Sequence, residues 1–159
     1  MAVKFKFAAS STTVISLAAT LATGANTYTG LSGCTMTVLD NSTNKYPHCK
    51  FVLEVPDTFS AAPTAGLVVD LYMTENDIDG SSDETPVPGA TDIIYLAKYI
   101  GSFVMDNQDV ATRKAIRIAN ALLGVVSANL YILNSTGVTL SYTSGAITVK
   151  ATPFTLEDA

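Results

Sequence analysis

The strongest constraint on this chain is a two-residue rhythm in its apolar side chains. In residues 48–55 (HCKFVLEV), Cys49, Phe51, Leu53 and Val55 fall on one side of an extended backbone, and His48, Lys50, Val52 and Glu54 on the other. Successive strand residues point to opposite faces, so this rhythm buries one face of a strand, whereas a helix repeats every 3.6 residues. Residues 66–73 repeat the pattern, with Leu67, Val69, Leu71 and Met73 opposite Val68, Asp70 and Tyr72. Residues 3–8, 12–18, 34–39, 95–106, 128–134 and 146–154 also read as strands. Residues 114–123 contain good helix formers, but Ile116 and Ile118 at a two-residue step favour a strand. Turn chemistry separates these runs: residues 24–27 (GANT), 40–44 (DNSTN), Pro56, Pro63 and Gly66, and 134–137 (NSTG). Residues 34–39 and 48–55 flank the 40–44 turn and read as a hairpin, and 134–137 reads as a turn of the hairpin type. The expectation is an all-β fold: a single antiparallel β-sandwich, jelly-roll-like, of about eight to ten short strands.

The 159 residues fit one domain, 1–159, with no fixed-period repeat and no linker. A chain of this size buries roughly 68–70% of its unfolded surface, enough for a core without disulfide or metal staples. Residues 74–93 form the longest strongly polar stretch and read as an exposed acidic Pro/Gly loop at a sheet edge. At the start of the chain, Lys4 and Lys6 precede an apolar stretch that resembles a secretory signal. Ser10, Ser11, Thr12 and Thr13 interrupt that stretch, and Val3, Phe5 and Phe7 alternate with Lys4 and Lys6, so a strand is the favoured reading. No segment reaches the ~18–20 continuous apolar residues of a spanning helix.

The formal net charge is −5, which argues against a nucleic-acid partner and against docking on an anionic membrane. Only 14% of residues are charged. Thr, Ser and Ala take the places where Lys and Glu usually sit. Such an exterior suits coverage by other chains, although Thr-rich solvent faces are also ordinary in strands.

The residues that carry chemistry are scarce: one His, two Cys and no Trp. Cys34 and Cys49 lie almost equidistant from the 40–44 turn, where a hairpin would place them side by side. Two free thiols are favoured over a bridge, because no convincing export signal accompanies them. His48 with these cysteines lacks the fourth ligand of a structural zinc site. Asp77, Asp79 and Asp83 imitate the opening of a calcium loop, but Pro86 stands where the bidentate Glu belongs. No nucleophile elbow, Gly-rich phosphate loop or acid–base pair is present, so neither an enzyme nor a cofactor is expected. Asn41-Ser-Thr43 and Asn134-Ser-Thr136 match the glycosylation pattern, but turns are rich in these residues anyway. The seven tyrosines read mostly as half-buried strand residues, with an exposed sugar-binding or partner-binding cluster as the alternative.

Gly66–Tyr72 (GLVVDLY), then Pro86, Pro88, Gly89 and Ala90, then Tyr99–Val104 (YIGSFV) and Asn134–Gly137, resemble small jelly-roll virion proteins of tailed bacteriophages. The opening strand followed by residues 16–25 (SLAATLATGA) is similar to them as well. The resemblance implies a capsid decoration (cement) protein on the virion exterior, assembled in the host cytoplasm. Its partners would be the major capsid protein and copies of itself, as homotrimers. It implies no catalytic residues. Within this reading Val3, Lys4, Phe5, Lys6 and Phe7, in a docking segment 1–8, form an arm that pairs with a neighbour's strand edge. A tail, neck or head-fibre module binding host glycan is the alternative, and a secreted bacterial adhesin or pilin-like subunit the third.

Overall fold

The computed structural model describes residues 3–27, 31–55, 66–76, 97–106, 114–123, 127–140 and 145–158. Within them the chain forms ten strands: β1 (Val3–Phe7), β2 (Thr12–Leu17), β3 (Cys34–Met36), β4 (Leu39–Asp40), β5 (His48–Val55), β6 (Val68–Asn76), β7 (Lys98–Val104), β8 (Lys114–Leu122), β9 (Ser127–Ser135) and β10 (Ile147–Asp158). They build two antiparallel sheets. One runs β3-β2-β10-β5-β8 with β1 also on β10, and the other runs β4-β9-β6-β7.

The pairing is nested. β2 pairs with β10, β4 with β9, β5 with β8, and β6 with β7. The earliest of these eight strands meets the latest, the second meets the second-last, and so inward. This is the jelly roll, a long hairpin rolled into two four-stranded sheets, to which β1 and β3 are additions.

The core lies between the sheets. Phe51, Leu53 and Val55 of β5 and Val149 and Ala151 of β10 face Leu71 and Met73 of β6, Phe103 of β7 and Leu130 and Ile132 of β9. The expected alternation in β5 holds residue by residue. It breaks in β2, where Val14 and Ile15 are both buried. There Ile15 pairs with Val149 and Thr13 with Lys150, so Val14 is the extra residue of a bulge. At Gly101 a Cβ would lie 3.2 Å from Ile118 of the facing sheet, so the missing side chain lets β7 and β8 approach.

Two expected hairpins are corners instead. β5 pairs with β10 and β8, not with the 34–39 segment, which divides into β3 on β2 and β4 on β9. The 40–44 turn therefore carries the chain from one sheet to the other. Buried Asn41 clasps it, donating Nδ2–H to the Tyr46 carbonyl and accepting the Tyr46 amide, each at 2.9 Å. Likewise β9 and β10 lie in different sheets, and fully buried Asn134 ties the 134–138 corner. Its Nδ2 donates to the Leu21 and Val138 carbonyls, both at 2.8 Å, and its Oδ1 accepts from Thr136. Both glycosylation-like asparagines thus spend their amides inside the fold. The sequence pattern marks a reversal correctly; which sheet receives the next strand depends on distant partners.

Candidate interaction surface

Residues 3–7 form the first strand, and its place in the sheet is unusual. β1 and β2 lie end to end on the same side of β10. β2 takes Ile147–Ala151, and β1 takes Phe154–Asp158 in the register Phe7↔Phe154, Phe5↔Leu156 and Val3↔Asp158. On the opposite side of β10, β5 stops at His48↔Phe154. Beyond Phe154, β1 and the end of β10 therefore form a two-stranded ribbon that runs past the sandwich. Among the described residues, neither outer edge of this ribbon is paired.

Pro153 sits at the changeover. A strand residue directs its N–H and C=O to the same side. The Pro153 carbonyl accepts the Ala8 amide at 2.8 Å, so its missing N–H faces the 8–11 link and costs no ladder bond to β5.

Phe154 lies on the outer face of the sheet, opposite to the core-facing Ile147, Val149 and Ala151. It is nevertheless only 3% exposed. The rings of Phe5, Phe7 and His48 close over it, with centroids at 5.5, 5.3 and 5.3 Å. Lys50 Nζ stands 5.4 Å from the Phe7 ring, in cation–π range. Phe7, Phe154, His48 and Leu122 are direct register partners across four strands, so they line one row. Phe5 (60% exposed), Phe7, Leu156 and Leu122 (62%) make this an apolar patch open to solvent. The buried Nδ1 of His48 has no hydrogen-bond partner in it.

The other face of the ribbon is charged. Lys4 stands opposite Glu157, and Lys6 Nζ reaches Glu157 Oε1 at 2.9 Å. The hydrogen bond and charge of Glu157 raise the Lys6 ammonium above its ordinary range. A pocket of about 290 Å³ opens where this face meets the 40–46 corner, lined by Ala8, Ala9, Ser10, Asp40, Tyr46 and Pro153.

The arm residues singled out from sequence are therefore together in the structure, on their own chain's β10. Sequence reasoning missed their partners Phe154, Leu156, His48 and Leu122. The signal was present: in residues 147–158 (ITVKATPFTLED) the apolar positions change phase at Pro153–Phe154. Such a slip turns the apolar side outward.

A second surface covers the outer face of the small sheet. Tyr99, Tyr72 and Tyr131 are register partners across β7, β6 and β9, with Tyr72 and Tyr99 edge-to-face at 5.6 Å. A bulge at Leu71/Tyr72 brings Tyr99 into this row. The Tyr99 hydroxyl lies 2.6 Å from Ser102 Oγ. Ser102 and Ser135 donate to the two oxygens of Asp70, at 2.5 and 2.9 Å. Of the four tyrosines among the described residues, Tyr46 and Tyr72 are half-buried, Tyr131 is buried and Tyr99 exposed.

The other expectations divide. Cys34 and Cys49 are free thiols. Their strands are separated by β2 and β10, so three strand spacings, about 14 Å, lie between them, beyond disulfide reach. Burial raises Cys34 to about 11 and Cys49 to about 12. His48 points outward and Cys49 inward, so they cannot converge on one ion. Among the described residues no three His, Cys, Asp or Glu side chains gather as metal ligands. Asp77, Asp79, Asp83 and Pro86, and residues 77–93 of the expected acidic loop, lie outside the described residues. Comparison with protein-family models, with curated proteins and with solved structures returns no match.

Proposed function

We propose that this chain is a structural protein of a bacteriophage virion, decorating the outside of the capsid and stabilising contacts between major capsid subunits. The observation that supports this reading is a jelly roll carrying a terminal ribbon whose edges are unpaired among the described residues, with an open aromatic face. Viral coat domains use this architecture, and so do lectin domains. The apolar patch and the sparse charge suit burial against a protein neighbour, and the net charge of −5 does not suit nucleic acid. Repeating one modest contact over a symmetric lattice multiplies its effect, and homotrimers on local threefold axes would close the assembly. The role is steric and needs no catalysis or cofactor. Co-sedimentation of purified protein with capsid shells of the source particle tests it. Binding that saturates at a stoichiometric number per shell is expected, with loss of binding on deletion of residues 1–8 and no loss of the folded β-sheet spectrum. Absence of any shell binding by the full chain would refute the role.

The glycan-binding reading has one observation in its favour: exposed Tyr99 beside the Asp70, Ser102 and Ser135 oxygens offers a ring face and directed acceptors. A glycan-array signal removed by Tyr99→Ala would favour it over decoration. A processed N-terminus near Ala25 or Asn26 together with a Cys34–Cys49 bridge would support the bacterial adhesin reading, and those thiols are free and far apart.

A further inference from the structure

We propose that the strand filling the terminal edge of β10, Phe154–Asp158, is exchanged between copies: Val3–Phe7 of one copy docks on β10 of another. This rests on the reading of the chain as an assembling structural protein, and names the occupant of its ribbon.

Four observations carry it. First, the arm is separable. Among the described residues all the ladder bonding of β1 goes to one strand, and none of the Lys4–Phe7 side chains enters the core between the sheets. A second copy presents the same acceptor atoms, so exchange replaces every contact with its equivalent. Second, the acceptor is selective. Lys4 opposite Glu157 and Lys6 bridged to Glu157 match this strand in this direction. Antiparallel pairing of β1 with a second β1 about Phe5 would instead set Lys4 against Lys6, which like charge disfavours. Third, the acceptor needs filling. Without an arm, Phe154 loses the two rings that shield it on the outer face. Fourth, the link can open. Residues 8–11 are Ala-Ala-Ser-Ser, and Ala8, Ala9 and Ser10 border an open pocket rather than packed core.

Exchange also covers what docking within one chain leaves bare. With residues 8–11 as the link, Phe7 and Thr12 stand at most about 18 Å apart. Two exchanging copies are therefore held close enough for the patches of Phe5, Phe7, Leu156 and Leu122 to shield one another.

The test places cysteines at the opposed pair, Lys4→Cys with Glu157→Cys, in a chain carrying Cys34→Ala and Cys49→Ala. The folded protein is oxidised, then denatured and sized without reductant. Exchange predicts covalent dimers or closed higher species that revert to monomer on reduction, and no such species from Lys4→Cys alone. A bridge found only within monomers overturns it. Light scattering on the unmodified chain gives an independent reading. Exchange predicts an oligomer at micromolar concentration that becomes a monomer when residues 1–8 are deleted. A full-length monomer, or an oligomer unchanged by the deletion, overturns it. The two ideas fail separately: an exchanged oligomer that binds no shell refutes the virion role, and a bridged monomer that still binds shells refutes exchange alone.

Discussion

The two halves of β10 follow one rhythm and serve opposite ends. From Ile147 to Ala151 the strand lies between β2 and β5, and its apolar side chains enter the core. From Thr155 to Asp158 it lies beside β1 alone, and from Phe154 on its apolar side chains point outward. A strand is apolar on the side where something covers it. In the first half the facing sheet is the cover. In the second half Phe5 and Phe7 are, and they are themselves left exposed. The ribbon is thus packed as a single layer, with its outer aromatic face open.

Three phenylalanines grade this contrast. Phe51, paired with Ala151 and sealed between the sheets, should cost about 3–5 kcal/mol as Phe51→Ala in urea unfolding. Phe154→Ala should cost less, about 1.5–3 kcal/mol, and should speed proteolysis within residues 1–8. Equal costs at the two sites would mean that the arm packs as tightly as the core. Phe5→Ser, on the open face, should cost less than Phe154→Ala, about 0.5–1.5 kcal/mol for its ring contact with Phe154, while abolishing self-association. A large loss of stability there would place Phe5 in the folding core and remove the contrast.

Asn134→Ala should cost about 1–3 kcal/mol, because the Leu21 and Val138 carbonyls each lose one buried donor and the Thr136 amide loses its acceptor. Asn41→Ala tests the opposite corner in the same way. A cost near zero at both would return these turns to the status of interchangeable surface loops.

The smallest effect is expected from the thiols. Burial raises both above the ordinary thiol value of 9.0, to about 11 and about 12, so the protonated form is favoured in the folded state. Their contribution is complete below pH 9, where both states are protonated. It is lost as pH rises from 9 towards 11–12, because the unfolded chain ionises first. The urea midpoint should fall over that range, and less so in Cys49→Ala. Labelling by a thiol reagent at pH 7–8 should be slow in the folded protein and fast in urea.

Much of this was legible in the residues. The alternation of 48–55 named the buried and exposed faces of β5 without error, and Val69, Leu71 and Met73 were assigned inward correctly. The first strand was recognisable from Val3 to Phe7. Its partners were legible too, in the phase change after Pro153, but only to a reader who knew that β10 outlasts β5. The meeting of Tyr99 with Tyr72 had no such signal, because a bulge at Leu71/Tyr72 sets the register.

The sequence by itself determined that the chain would be built of strands, where several of them would turn, and which side of most would be dry, because pleating and turn sterics act over a few neighbouring residues. Only the tertiary structure decided who pairs with whom: β4 joins β9 rather than β5, and β1 joins the far end of β10. Strand partners are chosen by closing one core from residues distant in sequence, so a single segment shows at most which of its faces is covered, not which strand lies beside it.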